Sequence, residues 1–226
     1  MKPASICLLL ILAAVVLSPL EVKAGTAQER AGELVQWREN CNDPDPDLRL
    51  AYIENAISSG DVSIQRICIR CAVESDNADI KNLGLRAAIA SLKQITFTVE
   101  LPVEMQAKLQ RAGDNKDEIQ SVIDKNRNEF SGYNTIKNGL SFIITEATVP
   151  SSQSIWFSLA KQSSKNDDFK GTATITGDRI NWVGRSSIDR NSYESSISLK
   201  LEAGGVLKGT YQPSSGPVYP ITAKLW

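Results

Sequence analysis

The chain has 226 residues, 42% apolar and 23% charged, with 25 basic against 26 acidic side chains. That balance excludes both a disordered polyelectrolyte and an electrostatic pull on nucleic acid. There is no histidine, which excludes a Ser-His-Asp triad, a Cys-His pair, an HExxH zinc site and a histidine proton shuttle, and leaves only carboxylate, Lys, Tyr, Ser or Cys for any catalysis.

Residues 1–24 read as a cleavable secretory signal peptide. Lys2 supplies a positive start, residues 6–17 an apolar run, and Val22-Lys23-Ala24 a cleavage motif before Gly25, with the cut after Ala24. The run falls short of the roughly 20 apolar residues of a membrane span, so a secreted or periplasmic protein without stable membrane insertion is expected. Cleavage removes Lys2, Glu21 and Lys23 and leaves a formal charge of −2. Cys41, Cys68 and Cys71 remain, and in an oxidising compartment an odd number implies one disulfide and one spare thiol. A bond between Cys68 and Cys71, three residues apart in a predicted helix, would be strained. Cys41 is therefore expected to pair with Cys71 or, as the second choice, with Cys68.

Thr26-Ala27-Gln28-Glu29 has the form of a capping box and opens a helix predicted to about Glu39, with Ala27, Ala31, Leu34 and Trp37 on one face. Residues 45–91 contain three copies of one unit at a period of 16, opening at Asp45, Asp61 and Asn77. Asp and Asn cap helix starts, and Pro46 suits a first helical position, so each copy is predicted to be one helix. Leu48, Ile64 and Ile80 align, as do Ile53, Ile69 and Leu85, then Ala56, Ala72 and Ala88, then Ile57, Val73 and Ile89. Apolar positions on more than one face are what stacked helices require. The Asp45-Pro46-Asp47-Leu48-Arg49-x-Ala51 opening, with Ala56 at the twelfth position, resembles short HEAT-like helical repeats. The resemblance covers residues 45–91 and implies a small right-handed stack that offers a surface to a partner.

After Ser91 the period becomes two, with Ile95, Phe97, Val99 and Leu101 on one side of a predicted strand. Helices are predicted over 102–112, closed by Gly113, and from Asp114 to about Glu129, with Ile119, Val122 and Ile123 on one side. Strands are predicted over 140–149, 154–161, 171–176, 179–183, 195–202, 206–211 and 218–226. Alternation turns Ala173, Ile175, Ile180, Trp182, Ile197, Leu199, Leu201, Leu207, Ile221, Ala223 and Leu225 inward. Trp226 then faces outward, as does Trp156 if Phe157 points in. The fold class is α+β: a helical-repeat domain over 25–92, then a domain over 93–226 in which two helices pack on an antiparallel β sandwich or barrel.

Candidate chemistry is sparse. Ser158-x-x-Lys161 and Ser75-Asp76-Asn77 are similar to two motifs of penicillin-recognising serine enzymes, but Ser158 falls in a strand rather than at a helix start and the order is reversed. Asp43, Asp45, Asp47 and Glu54 have EF-hand spacing, yet Leu48 replaces the turn glycine and Arg49 opposes a cation, so these acids read as helix caps. Cys68-Ile-Arg-Cys71 lies mid-helix, away from the N-terminus where a redox pair is activated. No metal or cofactor is expected. Arg66, Arg70, Lys81 and Arg86 are predicted to share the exposed edge of the second and third repeat helices, and with Trp156 and Trp226 they form the candidate partner surface.

These features point to an exported, non-catalytic binding protein whose partner is another protein or an envelope component. The alternative is a carrier of a small apolar ligand in the β unit. A third reading, a hydrolase built on two carboxylates facing one cleft, finds Glu146 alone in its strand.

Overall fold

The computed structural model describes residues 26–159, 166–188 and 191–226. The expected signal peptide and Lys161 lie outside the described residues.

Four helices open the fold: α1 (Ala27–Asn40), α2 (Pro46–Ser58), α3 (Val62–Glu74) and α4 (Ala78–Ser91). The capping box forms at α1, where the Thr26 amide donates to Glu29 Oε2 at 2.6 Å and the Glu29 amide to Thr26 Oγ1 at 3.2 Å. Asp45, Asp61 and Asn77 each accept two free amides at the starts of α2, α3 and α4. One carboxylate or amide oxygen thus satisfies donors that the helix geometry would otherwise orphan. Burial deepens along the series. In α2 only Ile53 and Ala56 are buried and Leu48 is exposed, whereas the equivalent Ile64 and Ile80 are buried. The reason is position: α2 lies at the edge, α3 is flanked by α1, α2 and α4, and α4 also packs on the sheet.

The α3–α4 contact is the closest of these. A Cβ on Gly84 would stand 2.6 Å from the Ala72 Cβ and 2.8 Å from the Val73 backbone nitrogen. Alanine would gain about 1 kcal/mol of helix propensity, but the clash involves backbone and must push the helices apart. Gly84→Ala is therefore expected to cost a net 1–2 kcal/mol, within the range of about 1–3 for overpacking, and a lowered midpoint in urea denaturation checks it.

The disulfide joins Cys41 to Cys68, with Cα atoms 5.3 Å apart. Cys71, the expected first choice, is free. Spacing along α3 explains the difference: Cys68 lies between Ile64 and Ala72 on the buried stripe facing the end of α1, while Cys71 is half-buried on its flank. There the Asn42 side-chain amide donates to the Cys71 sulfur at 3.2 Å. Burial pushes the Cys71 thiol pKa up, which keeps it protonated and unreactive at neutral pH.

Eight strands follow: β1 (Gln94–Val99), β2 (Leu140–Thr145), β3 (Gln153–Ser158), β4 (Lys170–Thr176), β5 (Arg179–Ile188), β6 (Asn191–Glu202), β7 (Val206–Pro213) and β8 (Tyr219–Lys224). Each pairs antiparallel with the next, and β1 pairs with β8 through Thr98 opposite Thr222 and Val99 opposite Ile221. The sheet is thus a closed barrel rather than a sandwich. Every side chain expected inside, from Ala173 to Leu225, is buried.

Trp182 fills the barrel centre. Its ring lies 5.0 Å from that of Phe142, and a Cβ on Gly171 or Gly184 would come within 2.7 Å of the indole. Two facing glycines are what make room for this side chain. Trp156 is also buried in the barrel, with its indole N–H donated to Ser154 Oγ at 2.9 Å.

Three helices are inserted between β1 and β2: α5 (Val103–Ala112), α6 (Lys116–Lys125) and α7 (Arg127–Ile136). The single helix expected over 114–129 breaks at Asn126, whose φ of −122° and ψ of 39° are not helical, and Asn115 rather than Asp114 caps α6. One end of the barrel meets α7, where Gly132 abuts the Tyr219 hydroxyl and Ile188, and Ile136 joins the core. The other end meets α3 and α4. Ile69, Val73, Leu85, Ala88 and Ile89 share one apolar cluster with Ile175, Leu201, Leu207 and Leu225, and Asn82 Nδ2 donates to the Gly177 carbonyl at 3.3 Å.

Candidate functional site

Where α3 crosses the end of the barrel, a groove of about 460 Å³ opens between that helix, the end of α4 and the residues after β8. Its floor is apolar, built from Ile69, Ala88, Leu92 and Leu225. Its rim carries Val62, 69% exposed, together with Arg66, Arg70 and Trp226.

Trp226 is 39% exposed and is held rather than loose. Its indole lies against Gly205, which turns the chain into β7 with a φ of 70°. A side chain at that position would occupy the indole's place, and the backbone angle itself favours glycine. The Arg70 guanidinium sits 5.3 Å from the centre of the Trp226 ring, within cation–π range.

Arg66 and Arg70 are one turn apart on α3, and among the described residues neither forms an ion pair. The acid nearest in sequence at the helix start is already occupied. Asp61 takes Arg30 Nη2 at 2.6 Å, and that guanidinium also meets Glu33 at 2.6 Å. The Asp61 carboxyl is held below the usual carboxylate range, first by the Ile64 amide and then by Arg30 and the Ser63 amide. Among the described residues the groove therefore keeps two rim arginines without an ion-pair partner.

Of the six candidate surface residues, three gather here: Arg66, Arg70 and Trp226. Lys81 and Arg86 do not line this groove. Arg86 Nη1 instead donates to the Pro150 carbonyl at 3.3 Å, and its Nε is buried without a partner. Trp156 is in the core. Periodicity missed the apolar floor, because Leu92 and Leu225 come from elements more than a hundred residues apart.

The barrel interior is occupied by its own side chains, with Trp156, Trp182, Tyr211, Tyr219, Phe97 and Phe142 fully buried. Ser186, Ser195 and Tyr211 exchange hydrogen bonds inside it, and Tyr211 stacks 6.3 Å from Tyr219. Burial pushes the Tyr219 phenol up to about 12. Both phenols thus stay neutral donors throughout the physiological range.

Carboxylates line one cleft of about 550 Å³ between α5 and the segment before β8, where Glu104 and Glu129 both contribute, and an open depression along α6, where Asp117 and Asp124 do. Glu104 is exposed, unlike the desolvated acid that general acid catalysis uses. Glu146 lies past the end of β2 with a φ of 57°. Asp43 and Asp45 accept backbone amides at the start of α2, and no cluster of three or more acidic or cysteine ligands occurs among the described residues. Comparison with family models, with curated proteins and with solved structures finds no match to this chain.

Proposed function

We propose that this is an exported, non-catalytic interaction protein, and that its partner is a protein docking in the groove of α3 and the barrel end. The observation that carries the reading is the unpaired Arg66–Arg70 rim beside half-exposed Trp226 over an apolar floor. An aromatic and an arginine beside a small apolar depression are the residue types enriched in protein interfaces. In this reading the three 16-residue units act as a HEAT-like stack that fixes α3 against the barrel. The Cys41–Cys68 disulfide supports export, and no helix among the described residues is long and apolar enough to cross a membrane. The filled barrel, with Trp182, Ile197 and Leu199 inside, favours binding at the surface over carriage within.

A photo-crosslinking residue in place of Val62 is expected to capture a partner from native extracellular or periplasmic material. One in place of Val183, exposed on the outer barrel wall, is expected to capture nothing. Arg66→Glu with Arg70→Glu should abolish capture from position 62 and lower the melting temperature by no more than about 2–4 °C, since both side chains are solvated and the Arg70 contact with Trp226 is worth about 0.5–1 kcal/mol. Equal capture from both positions, or capture unaffected by the double reversal, would move the site elsewhere.

A further inference from the structure

Resting on that docking reading, we propose that the segment received by the groove is an acidic peptide with a single aromatic or aliphatic anchor. Its carboxylates meet Arg66 and Arg70, and its anchor enters the floor formed by Ile69, Leu92 and Leu225.

Like charges at i and i+4 on a helix repel, and among the described residues no acidic side chain forms an ion pair with Arg66 or Arg70. A bound carboxylate would. The cation–π contact also prepares one of the two: with Cζ 5.3 Å from the Trp226 ring centre, the Arg70 guanidinium is restrained at the rim and keeps N–H groups for an anion. Those N–H groups form a fork that matches a carboxylate bidentately. Trp226 in turn is braced from behind by Gly205, so the arginine has a rigid platform.

The volume sets the size of the anchor. About 460 Å³ holds one large side chain and its flanking backbone. The charge argues against other anions. Membrane-binding patches gather roughly 4–8 basic residues, whereas this rim has two in a chain whose formal net charge is −1. The rest of the chain, with 25 basic against 26 acidic residues, adds no net attraction to an anionic bilayer.

The experiment uses the purified protein and a fluorescein-labelled eight-residue peptide with Asp and Glu on both sides of one Phe, read by fluorescence anisotropy. The wild type is expected to bind it, with affinity falling as salt rises. Arg66→Gln with Arg70→Gln should weaken binding by about tenfold or more, the loss expected for charge-assisted hydrogen bonds. A peptide with Ser for Phe, and one with Asn and Gln for the acids, should each bind more weakly by a similar factor. A thermal melt equal to wild type excludes misfolding of the double variant. Equal binding of the neutral peptide, or binding indifferent to the arginines, would overturn the proposal. So would retention of phosphatidylglycerol vesicles without retention of the peptide, in favour of a membrane surface. If a crosslinker at position 62 still captures a partner while no acidic peptide binds, the docking reading stands and this proposal falls.

Discussion

Replacing Trp182 by Ala is expected to lower the stability of the protein by about 3–5 kcal/mol, the cost of truncating a large buried aromatic. The environment places it at the upper end of that range. Trp182 is fully buried, packs edge-on against Phe142, and donates its indole N–H to the Trp156 carbonyl at 3.4 Å. Gly171 and Gly184 present bare backbone to the ring and cannot move a side chain into the void. A closed sheet resists collapse better than an open one, because β4 and β5 are hydrogen-bonded on both edges. Guanidinium denaturation should show the loss as a lower midpoint at constant slope. Trp182→Phe, which keeps most of the ring volume, should lose distinctly less. Equal losses for both variants would mean that the hydrogen bond, and not the filled volume, carries the effect.

The second large effect is expected from Cys41→Ala with Cys68→Ala. The bond closes a loop with a sequence separation of 27, for which the chain-entropy relation gives about 3–4 kcal/mol. The structure says where the loss will show first. No residue of α1 is fully buried, so the helix is held by the disulfide, by Leu34 and Trp37 against the cluster that Ile53, Ile64 and Cys68 form between the helices, and by the Arg30–Asp61 contact. Proteolysis within α1 should therefore rise well before the barrel melts. Acid should add to it: the Asp61 pKa is depressed in the fold, so its contribution is present above the ordinary carboxylate pKa and is lost as the pH falls through the lower, folded value. Limited proteolysis across pH, with and without the disulfide, reads both effects, and a resistant α1 in the double variant would show that side-chain packing alone holds it.

The helices were legible because their starts are local events. Asp45, Asp61 and Asn77 cap amides two and three residues ahead, so the 16-residue spacing carries its own explanation. The strands were legible for a similar reason, since alternation between Ala173 and Leu225 marks which side of the sheet is buried. Closure was not. It depends on Val99 meeting Ile221, a partnership that no short-range pattern encodes. Trp156 was hard to assign because its neighbours on the inward face, Ser154 and Ser158, are polar, and Ser154 is inside in order to accept the indole N–H. The helix α7 hid behind Gly132, a residue that weakens helices but is demanded there by the Tyr219 hydroxyl. Half of the candidate site was readable in the same way: Arg66 and Arg70 sit one turn apart on one helix. Their meeting with Trp226 could be found only once the barrel end was docked on α3.

That docking also bears on the order in which the chain can be made. Ile69, Val73, Leu85 and Ile89 are synthesised before the barrel, yet the barrel end that covers them includes Leu207 of β7 and Leu225 just after β8. The barrel itself cannot close until β8 returns to β1. Through most of synthesis, then, the early helices carry an oily face with nothing to seal it. Until β8 arrives that face is exposed in the way that makes a nascent chain prone to aggregate. A chain cut between α4 and β1 would expose on each piece the apolar side chains that the two now share.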